Sequence, residues 1–162
     1  MNWKDVRNGA VIYAAGDTLA ACMLGRFSWT RLAGMALVGG TIYAFEIPAY
    51  FRWIDQRTQR PSSAFRRAAT RTGLALLYFN PLWIARHLFF IACFDGSWHT
   101  INLGLLRTAL LSWLLNIPLS AAGNLLIQVG LPLQWRFVGS AVFSGLLAVY
   151  YAWAGVRFHH EN

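Results

Sequence analysis

Five long apolar stretches decide what this chain can fold into. Crossing the hydrocarbon layer of a bilayer, about 30 Å thick, takes about 20 mostly apolar residues in a helix that rises about 1.5 Å per residue. Stretches of this kind run from Gly9 to Gly25, Leu32 to Phe51, Gly73 to Phe94, Ile101 to Leu131 and Phe137 to Val156. In lipid every backbone amide must be satisfied within its own segment, so they are predicted to be helices. None alternates with period two, which excludes a barrel built from many segments of about ten residues. The expectation is an all-α bundle of four or five membrane-spanning helices, a single integral domain over 1–162. If the last stretch crosses, there are five spans and the C-terminus lies outside.

Composition supports this. Hydrophobic residues make up 57% of the chain and charged residues only 12%, about half the charged fraction of ordinary soluble domains. Disorder is excluded, because disordered chains are poor in apolar and aromatic residues.

The net charge of +8 would suggest nucleic acid in a soluble protein. Here the basic residues sort by place. Arg52, Arg57, Arg60, Arg66, Arg67 and Arg71 crowd the connection after the second stretch, whereas the one after the third, Asp95 to Thr100, has none. The positive-inside rule puts the first connection in the cytoplasm and the second outside. Lys4, Arg7 and Arg136 then fall inside, Arg26, Arg31 and Arg157 outside, and Arg86 and Arg107 at membrane depth. The segment from Gln56 to Thr72 could also bind anionic lipid, but no aromatic interleaving suggests base stacking, and no nucleic-acid partner is expected. Six of the eight tryptophans (Trp3, Trp29, Trp53, Trp98, Trp135 and Trp153) fall at predicted span ends, where an indole keeps its ring in lipid and its N–H among headgroups.

Charge at membrane depth is the informative part, since an ionisable group there costs at least about 2.5 kcal/mol and is a functional hypothesis by default. Asp17 and Arg86 sit near the middle of the first and third stretches. They either neutralise each other as a structural pair or line a polar pathway. Glu46 lies two residues before Pro48. It is either a proton or substrate site beside a proline-freed carbonyl, or a carboxylate reaching Arg52 or Arg107 at the interface.

The fourth stretch, at about 1.5 Å per residue, would reach about 46 Å and overshoot the bilayer. Pro118 predicts a kink there, the alternative being an interfacial helix followed by a span. The stretch also carries a polar row four residues apart: Thr108, Ser112, Asn116, Ser120, Asn124 and Gln128. Each step of four winds the row by about 40° on a helix. It serves either as interhelical glue or as a solute-lining face, with Asn116 and Asn124 flanking Pro118 as the best lining candidates. In the last stretch Ser140, Ser144, Ala148 and Ala152, with Gly139 and Gly145 nearby, predict a close-packing face.

Cys22 and Cys93 are expected to be small buried hydrophobes. Leu19-Ala20-Ala21-Cys22 imitates a lipoprotein cleavage box, but Gly16 and Asp17 interrupt the apolar core a targeting segment needs. His159-His160 is a weak metal signal, His87 stands beside Arg86, and His99 follows Trp98. Glycine-rich loops, P-loops and zinc-ligand spacings are missing. No catalytic residue, metal or cofactor is expected.

The chain resembles the bacterial L-alanine exporters. The residues that carry this are Gly16-Asp17-Thr18-Leu19-Ala20, Arg31-Leu32, Pro48 with Tyr50-Phe51-Arg52, the stretch from Tyr78 through Pro81 to Asp95, and Ser97-Trp98-His99-Thr100-Ile101. They span about the first three quarters of the chain, which adds a further apolar stretch beyond them. It is also similar, more remotely, to the peroxisomal and mitochondrial inner-membrane family whose mitochondrial member is linked to mitochondrial DNA depletion. That likeness lies in Gly16-Asp17, Asp55, Pro81, Trp98, Asn116 and Pro132-Leu133-Gln134-Trp135-Arg136. The first resemblance implies an inner-membrane exporter of L-alanine or a similar small neutral amino acid. The second implies a weakly selective channel.

A non-transporting assembly subunit is the third expectation. Under the first, Asp17 and Arg86 would hold the solute's charged groups, Asn116 and Asn124 would line its path, and Glu46 would carry a coupling proton. A chain this small leaves little room for a full pathway, so a homo-oligomer, most simply a dimer, is expected.

Overall fold

The computed structural model describes residues 2–59 and 63–159, with side chains except at 78, 79 and 151–159. Arg60 and His160, and the side chains of Tyr78, Ala152, Trp153, Arg157 and His159, therefore lie outside the described residues.

The described chain is helical and has no strand. In order it comprises α1 (Trp3–Met23), α2 (Trp29–Val38), a wide π-helical turn (Gly39–Tyr43), α3 (Ala44–Arg57), α4 (Ala64–Leu74), a second wide turn (Ala75–Phe79), α5 (Asn80–Phe94), a 3-10 turn (Trp98–Thr100), α6 (Leu103–Leu125), a third wide turn (Leu126–Gly130) and α7 (Leu133–His159). Three continuous helical stretches are long and apolar enough to cross a membrane: Trp29–Arg57, Ala64–Phe94 and Leu103–Gly130. Each contains one of the wide turns. The chain divides into two compact units, residues 1–47 with 137–162, and residues 48–136.

In the first unit, Asn2 caps α1 by accepting from the Lys4 amide at 3.1 Å. The helix ends where Gly25 takes φ +65°, with Gly25 N–H donating to Cys22 O and Arg26 N–H to Ala21 O. That paired closure needs a left-handed residue, which glycine alone adopts without strain. Ser28 opens α2 by accepting from the Arg31 amide at 3.4 Å, so the helix begins at Trp29 and includes Arg31. The buried positions of α1 are Gly9, Tyr13, Asp17, Ala20 and Ala21, one face at a spacing of three to four. A Cβ on Gly9 would stand 2.2 Å from Gly39 O, and one on Gly39 2.4 Å from Gly9 O. The two backbones therefore touch. On the same face, a Cβ on Gly16 would stand 2.8 Å from Gly145 Cα. The close contact of α7 thus runs through Gly145.

In the second unit, the wide turn Ala75–Phe79 lies just before Pro81, which supplies no amide hydrogen to the carbonyl four residues earlier, Leu77. Irregular backbone at membrane depth survives only where other groups satisfy it. Two aromatic donors do so here: Tyr50 Oη donates to Leu74 O at 2.8 Å and Trp113 Nε1 to Leu76 O at 2.8 Å. α5 ends as α1 does, with Gly96 at φ +69°.

Two expectations need correction. The Arg-rich connection is not all loop, because Ser63 caps α4 by accepting from the Arg66 amide at 3.2 Å. The helix then runs on from Ala64 into the second span. Cys22 is exposed and Cys93 half-buried, so neither is a buried hydrophobe; Cys22 points off the packed face of α1. The fourth stretch is one helix through Pro118, as one of its two readings expects, and a wide turn follows it at Leu126–Gly130. Trp3, Trp29, Trp53, Trp98 and Trp135 are all exposed, as residues at the rim of a bilayer would be.

Candidate functional site

The two units treat buried charge differently. In the first, Asp17 is paired within its own unit. Its partner is Arg31, with Nε donating to Oδ2 at 2.7 Å and Nη2 to Oδ1 at 2.8 Å. Both side chains are buried. Each carboxylate oxygen has its own guanidinium hydrogen, the fork geometry that makes an Arg–carboxylate pair strong. Assigning Arg31 to an outer connection missed this. The Ser28 cap, three residues before Arg31, was the signal that the residue belongs inside a helix. Glu46 lies half-buried in the first turn of α3, just after the wide turn Gly39–Tyr43.

In the second unit, Arg86 lies half-buried on α5, next to the stacked pair Trp83–His87, whose ring centroids are 4.6 Å apart. Arg107 is exposed on α6. The polar row divides. Thr108 and Ser112 are exposed, whereas Asn116, Ser120, Asn124 and Gln128 are buried. Winding of about 40° per step accounts for the split, since the five steps from Thr108 to Gln128 rotate the row by about 200°, more than one packed face can hold. Asn116 and Asn124 thus share one buried strip. Asn124 Nδ2 donates to Ser120 O at 2.9 Å, which leaves its Oδ1 acceptor for another partner.

The strip ends at a charged cluster. Asp55 on α3 accepts at one oxygen, Oδ1, from Arg71 Nη2 on α4 and from Arg136 Nη1 at the start of α7, at 3.2 Å. Arg71 Nε donates to Thr58 Oγ1 at 2.8 Å, and its Nη1 reaches Gln128 O at 3.5 Å. Arg136 Nε donates to Leu131 O at 3.1 Å. Two cations share one anion, so the cluster carries a formal excess of one positive charge. Gln128 is 0% exposed, and neither Nε2 nor Oε1 has a hydrogen-bond partner among the described residues.

Sequence reasoning left this cluster unassembled. Asp55 entered only through a family likeness, Arg136 through that likeness and as one of the basic residues placed inside, and Arg71 only as one of six basic residues in a connection. Among the described residues no group of three or more His, Cys, Asp or Glu is placed to hold a metal ion. No family model, curated protein or solved structure matches the chain.

Proposed function

We propose that this protein is a small-solute exporter of a bacterial inner membrane, moving L-alanine or a similar small neutral amino acid. In this reading it crosses the bilayer four or five times, bends at Pro118, keeps its N-terminus in the cytoplasm and works as a homo-oligomer. The observation that carries the reading is the buried strip Asn116–Ser120–Asn124–Gln128 on an apolar helix long enough to cross a membrane. Burying amides and hydroxyls there is unfavourable unless they have partners. Helix-to-helix glue would satisfy them, yet the amide of Gln128 has neither donor nor acceptor engaged among the described residues. A strip that serves a passing polar solute has its partners supplied by that solute and its water.

The test is alanine efflux from dipeptide-loaded cells that lack the gene and carry the protein or its variants at matched membrane amounts. Wild type lowers intracellular alanine. Asn124→Leu and Asn116→Leu each slow efflux by about tenfold or more, the effect of losing a hydrogen-bonded solute contact worth about 1.5 kcal/mol. Efflux at the wild-type rate in both variants refutes the lining role, and unselective conductance in planar bilayers would turn the reading to a pore.

A further inference from the structure

Asp55, Arg71 and Arg136 stand out because their hydrogen bonding is incomplete. The Asp17–Arg31 pair uses both carboxylate oxygens. Asp55, by contrast, receives both arginines at Oδ1, and no hydrogen bond engages Arg136 Nη2 among the described residues. The Gln128 amide is also buried without a partner among the described residues. Gln128 is tied to the cluster through its own carbonyl, which Arg71 reaches. The side chains of Arg71, Arg136 and Asp55 are only 13%, 7% and 23% exposed, so the excess charge is not dispersed by bulk water. A half-satisfied buried network of this kind is costly as a purely structural device.

We propose that this cluster is a carboxylate-binding site, where the carboxylate of a small solute takes over the guanidinium hydrogen bonds now held by Asp55 Oδ1. The chemistry fits. Two planar guanidiniums with one excess charge match a small planar anion, and the Gln128 amide adds a neutral donor. Under the orientation proposed above, Arg136 and the Arg-rich segment lie on the cytoplasmic side, where an exported solute enters. The inference rests on that reading for the identity of the solute but not for the binding itself.

The experiment is thermal unfolding of the purified full-length protein in detergent, titrated with acetate, L-alanine, L-alaninamide, inorganic phosphate, and chloride at matched ionic strength. Acetate and L-alanine are expected to raise the unfolding temperature saturably, and L-alaninamide and chloride are not. Arg136→Lys keeps the charge but loses the planar fork, and raises the apparent Kd for acetate by about tenfold or more. Gln128→Leu weakens acetate binding without lowering the unfolding temperature of the unliganded protein, which separates a ligand-binding role from a folding role. The proposal is overturned if acetate does no more than chloride, or if both variants bind acetate as wild type does. A response to phosphate but not to acetate also overturns it, in favour of a phosphate or lipid headgroup. Carboxylate binding without alanine efflux leaves the site standing and removes the transport reading. Alanine efflux without acetate binding does the reverse.

Discussion

Replacing Gly9 by alanine tests how closely the backbones of the first unit approach. The added Cβ would stand 2.2 Å from Gly39 O and 3.1 Å from Phe137 Cζ. The phenyl ring can swing aside, but the carbonyl belongs to a helix and cannot. Restoring ordinary contact requires the two backbones to part by about 1 Å, and a gap of that size forfeits a quarter to a half of each dispersion contact across it. Overpacking of this kind costs about 1–3 kcal/mol, and backbone against backbone belongs at the upper end. Alanine returns about 1 kcal/mol of helix propensity, so the net loss is about 2 kcal/mol.

The control is Gly73→Ala near the end of α4, where nothing lies within 4 Å of the new methyl; the same substitution should stabilise there by up to about 1 kcal/mol. Unfolding in mixed micelles, titrated with a denaturing detergent, should separate the two variants by about 3 kcal/mol, the sum of these opposite propensity and overpacking effects. Equal stabilities would show that α1 and the Gly39–Tyr43 turn are not in backbone contact.

The Gly16–Gly145 contact predicts an asymmetry. Gly16→Ala destabilises, because its Cβ meets Gly145 Cα at 2.8 Å, while Gly145→Ala is neutral or stabilising, since its Cβ stands an ordinary 3.6 Å from Gly16 Cα; the same unfolding titration reads both. Removing one member of the buried fork, by Asp17→Asn or Arg31→Gln, should cost about 3–5 kcal/mol, whereas an apolar double replacement costs less than either single change; a double-mutant cycle reads the difference. Trp113→Phe removes the donor at Leu76 O and should cost about 1–3 kcal/mol, with faster hydrogen exchange confined to the turn Ala75–Phe79. Unchanged exchange there would mean that the carbonyl has another donor.

How much of this was legible depended on whether a feature was local. Helix was legible across the apolar runs, because runs of lipid length allow the backbone little else. Ends were legible where a cap has a signature: Ser28 and Ser63 each begin a helix, and Gly25 and Gly96 each follow the end of one. Ignoring the caps had consequences. Starting the second helix at Leu32 left Arg31, the residue that pairs with Asp17, outside it. Treating Gln56 to Thr72 as a connection left Arg71 without a helix to place it. The polar row was legible as a spacing, but which four of its six members are buried depends on where the neighbouring helices lie. No spacing brings Asp55, Arg71 and Arg136 together, since they come from three helices. The Gly9–Gly39 approach was invisible for the same reason, because it joins two different elements.

The prolines connect these observations. Pro48, Pro81 and Pro132 each follow a wide turn within five residues; Pro48 and Pro81 deny a hydrogen to the carbonyl four positions earlier, Ala44 and Leu77, while Pro132 stands just past a helix end, whose last carbonyls, Gln128 O among them, have no helical donor. Pro118 lies in unbroken helix, so a proline alone does not produce a wide turn. A wide turn before a proline leaves carbonyls that lipid cannot satisfy, and side-chain donors must be brought to them. Around Pro81 the donors that arrive are neutral aromatics, Tyr50 at Leu74 O and Trp113 at Leu76 O. Before Pro132 they are Arg71, at Gln128 O, and Arg136, at Leu131 O. Backbone carbonyls take only part of what two guanidiniums offer, and the single oxygen of Asp55 takes a little more. The same backbone device that is structural at one proline therefore holds, at the other, two cations beside a buried amide with bonding capacity to spare. That unspent capacity is the physical reason for expecting an anion there.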